Sequence, residues 1–302
     1  MIVDDPQRFL DGFARLQPTQ DATARAAFLV SPLGFHLAAE SASDNRYMAM
    51  SATPDAYRAL REHGELARRL ADDLPVFTFP GDPASPDGVF PNNAFATVPG
   101  RLITGRMRHA VRRRETRRAD IRSFFERIMS YEIVDLEPAD CIAELTGAMV
   151  IDRARRVGFC GLSERCDRRG AAAMHVAFGL ELTFCFELAS AEYHANVVLA
   201  VLAGRAAIVA ADGFADAAAA EAISEAYHPH VVEIDRAQKQ AYSGNAIALT
   251  PARAWLSTSG AAALRPAQLA VLEQAGFAIA ATDLATLECA GGSLRCCVAE
   301  IY

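Results

Sequence analysis

Gly291-Gly292-Ser293-Leu294-Arg295-Cys296-Cys297-Val298-Ala299-Glu300-Ile301-Tyr302 is the stretch from which the rest of the chain can be read. A glycine-rich turn runs into a short β-branched and aliphatic strand, with cysteine at its mouth and Arg295 beside it. A cationic neighbour favours the thiolate, the nucleophilic form of cysteine, and paired glycines let other atoms approach the backbone closely. The same composition also describes a cysteine packed inertly in a core. Side chains alternate along a strand, so Cys296 and Cys297 cannot both face one pocket. Cys296, nearer the glycines, is assigned to the pocket and Cys297 to the packed face. A vicinal disulfide between them would be strained.

Working upstream, the same plan recurs: a polar or glycine-bearing tetrad, a strand, a short turn, a second strand, then a helix. Pro91-Asn92-Asn93 opens Ala94 to Val98, and Gly100 turns into Arg101 to Thr104. Glu144-Leu145-Thr146-Gly147 opens Ala148 to Ile151, Tyr193-His194-Ala195-Asn196 opens Val197 to Val201, and Tyr242-Ser243-Gly244-Asn245 opens Ala246 to Leu249. Helical periodicity follows at Arg112 to Met129, Cys166 to Phe178, Phe214 to Ala226 and Arg265 to Ala275, and also at Asp55 to Leu74. The tetrads recur at roughly 50 residues, a spacing typical of repeat architectures. Because the strand after Cys296 is continued by the N-terminal strand at Phe28, five units result, with boundaries near 26–90, 91–141, 142–190, 191–240 and 241–302. No ββαβ unit can bury its apolar face alone, so the units pack on their neighbours. A closed ring, a single α/β propeller domain over 1–302, gathers Asn93, Glu144, His194, Asn245 and Cys296 near one axis.

The totals exclude several classes. With 302 residues, 52% of them hydrophobic, a sizeable core is available. The net charge of −7 argues against a nucleic-acid surface, and Arg112-Arg113-Arg114, flanked by Glu115, is read as a solvated helix face. No apolar run reaches membrane-spanning length, and Met1 is followed by Ile2-Val3-Asp4-Asp5, not by a signal-peptide pattern. Seven cysteines without CxxC spacing indicate a reducing, cytoplasmic setting. His228-Pro229-His230 has no matching ligand cluster, so no metal is expected.

A cysteine, a histidine and a glutamate converging on one pocket supply a nucleophile, an acid/base and an orienting carboxylate. On these residues the sequence resembles the guanidine-modifying enzymes of the pentein fold, which are amidinotransferase-like. It is most similar to their arginine-deiminase-related, citrulline-utilisation hydrolase branch. The resemblance is carried by Phe90-Pro91-Asn92-Asn93, Glu144-x-Thr146-Gly147, Val150-Ile151-Asp152-Arg153, Leu162-Ser163-x-Arg165-x-Asp167, Tyr193-His194-x-Asn196-Val197, Gly244-Asn245 and Gly292-Ser293-x-Arg295-Cys296. It implies that Cys296 attacks the central carbon of a guanidino or ureido group, giving a covalent adduct. His194 protonates the departing amine and then activates water, while Glu144 orients the planar N–H groups. Asn92, Asn93, Asn196, Asn245, Gly292 and Ser293 are implied to line the same pocket. Arg165 is implied to meet the substrate carboxylate, a contact suited to its bidentate fork; pairing with Asp167 is the other reading. No cofactor is implied, the partner is a small amino acid, and a homodimer is compatible with the sequence.

Deiminases that bind cationic arginine carry acidic residues where this chain is aligned with Val98, Ala148 and Asn196. An unpaired buried guanidinium is costly, so a neutral ureido compound such as citrulline is the expected substrate. Two other readings stand beside it. One is arginine deiminase or dimethylarginine hydrolase activity. The other is a non-catalytic binding protein, such as a ribosome anti-association factor of the same architecture. Loops at Ser41 to Asp44 and Ala84 to Gly88 are lid candidates.

Overall fold

In a computed structural model describing residues 1–302, the strands sort into five sheets that share one plan. Each holds an antiparallel pair followed by a strand parallel to its middle member. The plan covers Phe95–Val98, Arg101–Thr104 and Glu132–Asp135; Met149–Asp152, Val157–Leu162 and Leu182–Glu187; Leu199–Leu202, Ala206–Val209 and Val231–Glu233; and Ile247–Thr250, Arg253–Ser257 and Ala278–Thr282. In the remaining sheet Ala299–Ile301 lies antiparallel to Ala26–Val30, which pairs with Val76–Phe79. The two ends of the chain therefore complete one unit, with Ala299 opposite Phe28, as the repeat reading requires.

The first strands of the units form the inner layer. Contacts run from 299–301 to 95–98, from the turn at 91–93 to that at 145–148, from 149–152 to 199–202, from 199–202 to 247–250, and from 253–257 back to the turn at 294–297, closing the ring. Helices occupy the outside. Ala56–Leu70 begins where the Asp55 carboxylate accepts from the Tyr57 and Arg58 backbone N–H groups, and buries Ala59, Leu66 and Leu70. Arg168–Phe178 begins at Asp167, which accepts from Gly170 N, and ends at left-handed Gly179. Ala26–Val30, covered on both faces, reads as an unbroken apolar run because nothing in it meets water.

Several expectations are corrected. The helix expected over Arg112 to Met129 is broken into Ala110–Thr116, Ala119–Ser123 and a π-turn at Phe124–Ile128. The break at Arg118 lets Phe125 pack edge-on to Phe28 while Arg112 turns inward. Ile2–Val3 adds an edge strand parallel to Leu182–Glu187, too short to show a period in sequence. The residue tetrads do not lead straight into strands. They fold as single helical turns at Pro91–Asn93, Leu145–Ala148, Ala195–Val198 and Leu294–Cys297. Cys296 thus sits on a helical turn rather than at a strand mouth. Successive helical side chains diverge by about 100°, so it and Cys297 still face different surroundings.

Candidate active site

The inner turns hold their polar residues at one end of the ring. Two of them carry non-glycine residues with positive φ, Leu145 at 29° directly after Glu144 and Tyr242 at 65° just before Asn245. Such conformations cost about 1–3 kcal/mol each and persist only where surrounding packing imposes them.

Cys296 Sγ is buried against two carboxamides. Asn245 Nδ2 donates to it at 3.3 Å, and the Asn196 Nδ2 and Oδ1 atoms lie at 3.7 and 3.9 Å. Asn245 Nδ2 also donates to the Asn196 backbone carbonyl at 2.8 Å, fixing the Asn245 side chain. Burial pushes the Cys296 thiol above its ordinary range, and the Ser293 backbone, Asn245 and Arg295 only partly offset it. The resting group is therefore a thiol. Arg295 does not hold a thiolate as expected, because its guanidinium turns to Glu300 at 2.9 Å and to the Val298 carbonyl at 2.9 Å.

Glu144 and His194 form the second half of the site, with Nε2 2.9 Å from Oε2. Burial raises the Glu144 carboxyl, but the guanidinium of Arg165, the imidazole and Arg112 outweigh it and hold the group well below the usual range. Arg165 Nη1 lies 3.1 Å from Oε2, and the Arg108 backbone N–H donates to Oε1 at 3.2 Å. Burial in turn lowers His194, and with Arg165 and Arg112 it prevails over the opposing pull of Glu144. An ionised Glu144 can only accept, so neutral His194 donates through Nε2 and carries its lone pair on Nδ1. Nδ1 is buried without a protein partner. It faces the α-carbon of Gly147, where a Cβ would lie 2.9 Å from Nδ1 and 2.3 Å from Asn93 Oδ1. Asn93 Oδ1 is likewise unpartnered, as are both side-chain polar atoms of Asn92.

Cys296, Asn93, Arg165, Gly292, Tyr193 and Asp87 line one cavity. Its free volume is about 10 Å³, space for roughly one water. The two lid candidates meet above it, where Ser41 Oγ donates to the buried Asp87 carboxylate. Arg165 has no N–H left for a substrate. It donates through Nε to both Asp44 oxygens at 3.0 and 2.9 Å, and through Nη2 to Asp44 Oδ1 at 2.6 Å and to the Ser41 carbonyl at 3.0 Å. Neither sequence reading of Arg165 describes this arrangement, since Asp167 caps a helix instead.

Other expected positions fall elsewhere. The Ser293 hydroxyl donates to Glu288 at 2.7 Å, and only its backbone bears on the Cys296 thiol. Val98 lies at the far end of its strand, lining a different cavity, so its apolar character says nothing about charge at Cys296. Ala148 is packed in the core and does not line the cavity. Arg112, expected on a solvated face, is buried, bonded to Glu115 at 2.8 and 3.0 Å and 3.8 Å from Glu144. Arg112 was not legible as a site residue, Asp44 and Asp87 were marked only within lid-candidate loops, and Gly147 only within a motif. Their signal is spatial, apart from the i, i+3 spacing of Arg112 and Glu115.

Five ββαβ units around a buried cysteine, histidine and glutamate are the architecture of the pentein-fold hydrolases. A family model described as "N,N dimethylarginine dimethylhydrolase, eukaryotic" matches residues 31–302, and the chain belongs to that family. It is an enzyme of the arginine-modifying, C–N-cleaving kind. Solved structures share the fold. The N-terminal domain of ArgZ, an arginine dihydrolase from the ornithine-ammonia cycle in cyanobacteria, bound to substrate, is 18% identical over 91% of this chain and 97% of that one, with a TM-score of 0.77. AgrE in ternary complex with ornithine and NAD⁺ is 19% identical over 92% of this chain and 39% of that one, with a TM-score of 0.79. A dimethylarginine dimethylaminohydrolase adduct with 4-chloro-2-hydroxymethylpyridine is 20% identical over 92% and 99%, with a TM-score of 0.70. No curated protein sequence matches the chain significantly. No helix is long and apolar enough to cross a membrane.

Proposed function

We propose that the chain hydrolyses the ureido group of a citrulline-like amino acid, with Cys296 as nucleophile. The observation that carries this reading is the pair of carboxamides, Asn196 and Asn245, against Sγ where a cation would require carboxylates. Amides match a neutral ureido group, which both donates and accepts. Nδ1 of His194 takes the thiol proton, and Sγ bonds to the ureido carbon. As the C–N bond breaks, the imidazolium returns the proton to the departing amine, ornithine in the case of citrulline. His194 then draws a proton from water, which attacks the thiocarbamate and frees Cys296. The carbamate so released decomposes to ammonia and carbon dioxide. Glu144 stays ionised throughout and stabilises the transient imidazolium.

A second reading, hydrolysis of arginine or an N-methylated arginine, is favoured by Asp87, a buried carboxylate lining the Cys296 cavity, and by the family's description. The test is a panel of citrulline, arginine, methylated arginines and agmatine with quantified products. Ornithine and ammonia from citrulline support the first reading. Citrulline formed from arginine or its methylated forms, at a kcat/KM about tenfold above that for citrulline, a difference of ~1.4 kcal/mol, replaces it with the second.

A further inference from the structure

A second cavity, of about 320 Å³, opens at the opposite end of the inner strands, beside Val98, Ile151 and Tyr302. Of the 14 residues lining it, four are arginines, Arg25, Arg101, Arg153 and Arg156, and the single acid is Asp21. In a chain of net charge −7 this is a local reversal of sign. Only Arg156 is ion-paired, to Glu181, and even its Nε is buried without a partner.

Arg153 is the informative one. It belongs to the Val150-Ile151-Asp152-Arg153 run, which the catalytic site does not use. It is 7% exposed, yet its one protein acceptor is the Thr97 carbonyl, 3.1 Å from Nη1. Its guanidinium carbon lies 4.3 Å from the Tyr302 ring centre and 5.3 Å from that of Phe178, so the aromatic rings fix the fork in place. The residue lines the cavity, and its other N–H groups have no protein acceptor. A buried cation without a counter-charge is costly, and rigid guanidinium forks match carboxylate and phosphate oxygens.

We propose that this cavity binds a small multivalent oxyanion, carrying its charge on phosphate or carboxylate groups. The volume falls at the lower end of the ~300–1,000 Å³ of small-molecule sites, and the site is independent of the chemistry at Cys296. Arg153 anchors one anionic group, while Arg25 and Arg101 meet a second at the rim.

The test is calorimetric titration of the full chain with inorganic phosphate and, separately, citrate, each against sodium chloride at matched ionic strength. The expected result is saturable binding of at least one, weakened about tenfold or more in the double variant Arg25→Gln/Arg101→Gln, the loss expected from removing charge-assisted hydrogen bonds. Turnover of that variant without added anion stays at the wild-type level. Phosphate alone binding identifies a phosphate-bearing ligand, and citrate alone a polycarboxylate; either supports the site. Arg153→Lys, which keeps the charge but loses the fork, weakens binding as well. The proposal is overturned if neither anion binds saturably above the chloride control, or if the rim variant binds with wild-type affinity.

Discussion

The Asp44 carboxylate spans the Nε and Nη2 edge of Arg165 while Glu144 holds Nη1 of the same guanidinium, so one arginine ties the segment over the cavity to the carboxylate beside His194. His109 Nε2 at 3.1 Å and Arg108 Nε at 3.3 Å add to the grip on Asp44. With about 10 Å³ free beneath it, the segment has to move before an amino acid can reach Sγ. Asp44→Asn keeps the shape and removes the charge. A charge-assisted bond contributes ~1.5–3 kcal/mol, so iodoacetamide should label Cys296 about tenfold faster or more, read by peptide mass to separate it from half-exposed Cys289. An unchanged labelling rate would mean that this pair does not hold the lid.

The pH profile follows from two buried groups. Burial raises the Cys296 thiol and lowers the His194 imidazole, so the free enzyme near neutrality holds a thiol and a neutral ring. Because His194 accepts the proton that Cys296 loses and returns it to the departing amine, the thiol with the neutral ring is the active form, and kcat/KM should hold level from pH 7 and fall as the thiol ionises above the ordinary cysteine value of about 8.5. Thiolate absorbance near 240 nm should be missing at pH 7. The stability consequence has the same sign. A raised thiol favours the folded state fully below the unfolded value of about 8.5, and this contribution is lost as pH rises through the folded value. A kcat/KM that climbs as pH passes about 8.5, or thiolate already present at pH 7, would contradict the assignment.

The five-unit architecture and three central residues were readable because tetrads in phase and period-2 strands are local signals repeated at fixed spacing. Cys296 lies against Asn196 and Asn245, His194 pairs with Glu144, and His194 and Asn93 converge on Gly147. Their surroundings were not readable. Asp44 reaches Arg165 across 121 positions of sequence, and no periodicity reports such a contact. Arg112 beside two other arginines looks solvated, yet it is buried against Glu115 and the Phe90 carbonyl. Val98 misled because a linear alignment counts positions, whereas the turn at Pro91–Asn93 presents Asn93 to the cavity and the strand then runs away from it.

Gly147 sits where the His194 ring and Asn93 converge, and a methyl group there would lie 2.3 Å from Asn93 Oδ1 and 2.8 Å from His194 Cε1. One of the two side chains has to shift. Misplacement of a catalytic group by about 1 Å costs on the order of 10²-fold in rate, so Gly147→Ala should lower kcat by about that factor. Gly64, exposed within Ala56–Leu70, has nothing within 4 Å of its would-be Cβ. Gly64→Ala should stabilise the fold by ~0.5–1 kcal/mol through helix propensity and leave turnover unaltered. Thermal denaturation and steady-state kinetics on both variants separate the roles, and equal kcat in the two would show that Gly147 does not position the site.

Asn196 is the position at which a charge should set the choice between ureido and guanidino substrates, because its carboxamide lies 3.7 Å from Cys296 Sγ. Asn196→Asp changes little in size and places a carboxylate beside the carbon under attack. A guanidinium gains a charge-assisted partner there, contributing ~1.5–3 kcal/mol, whereas the neutral ureido group gains no Coulombic attraction. The added charge also raises the Cys296 thiol further, which slows both substrates and cancels in their ratio. The kcat/KM ratio of arginine to citrulline should therefore rise about tenfold or more in the variant while absolute rates fall. A ratio that stays constant would show that Asn196 does not meet the reacting group.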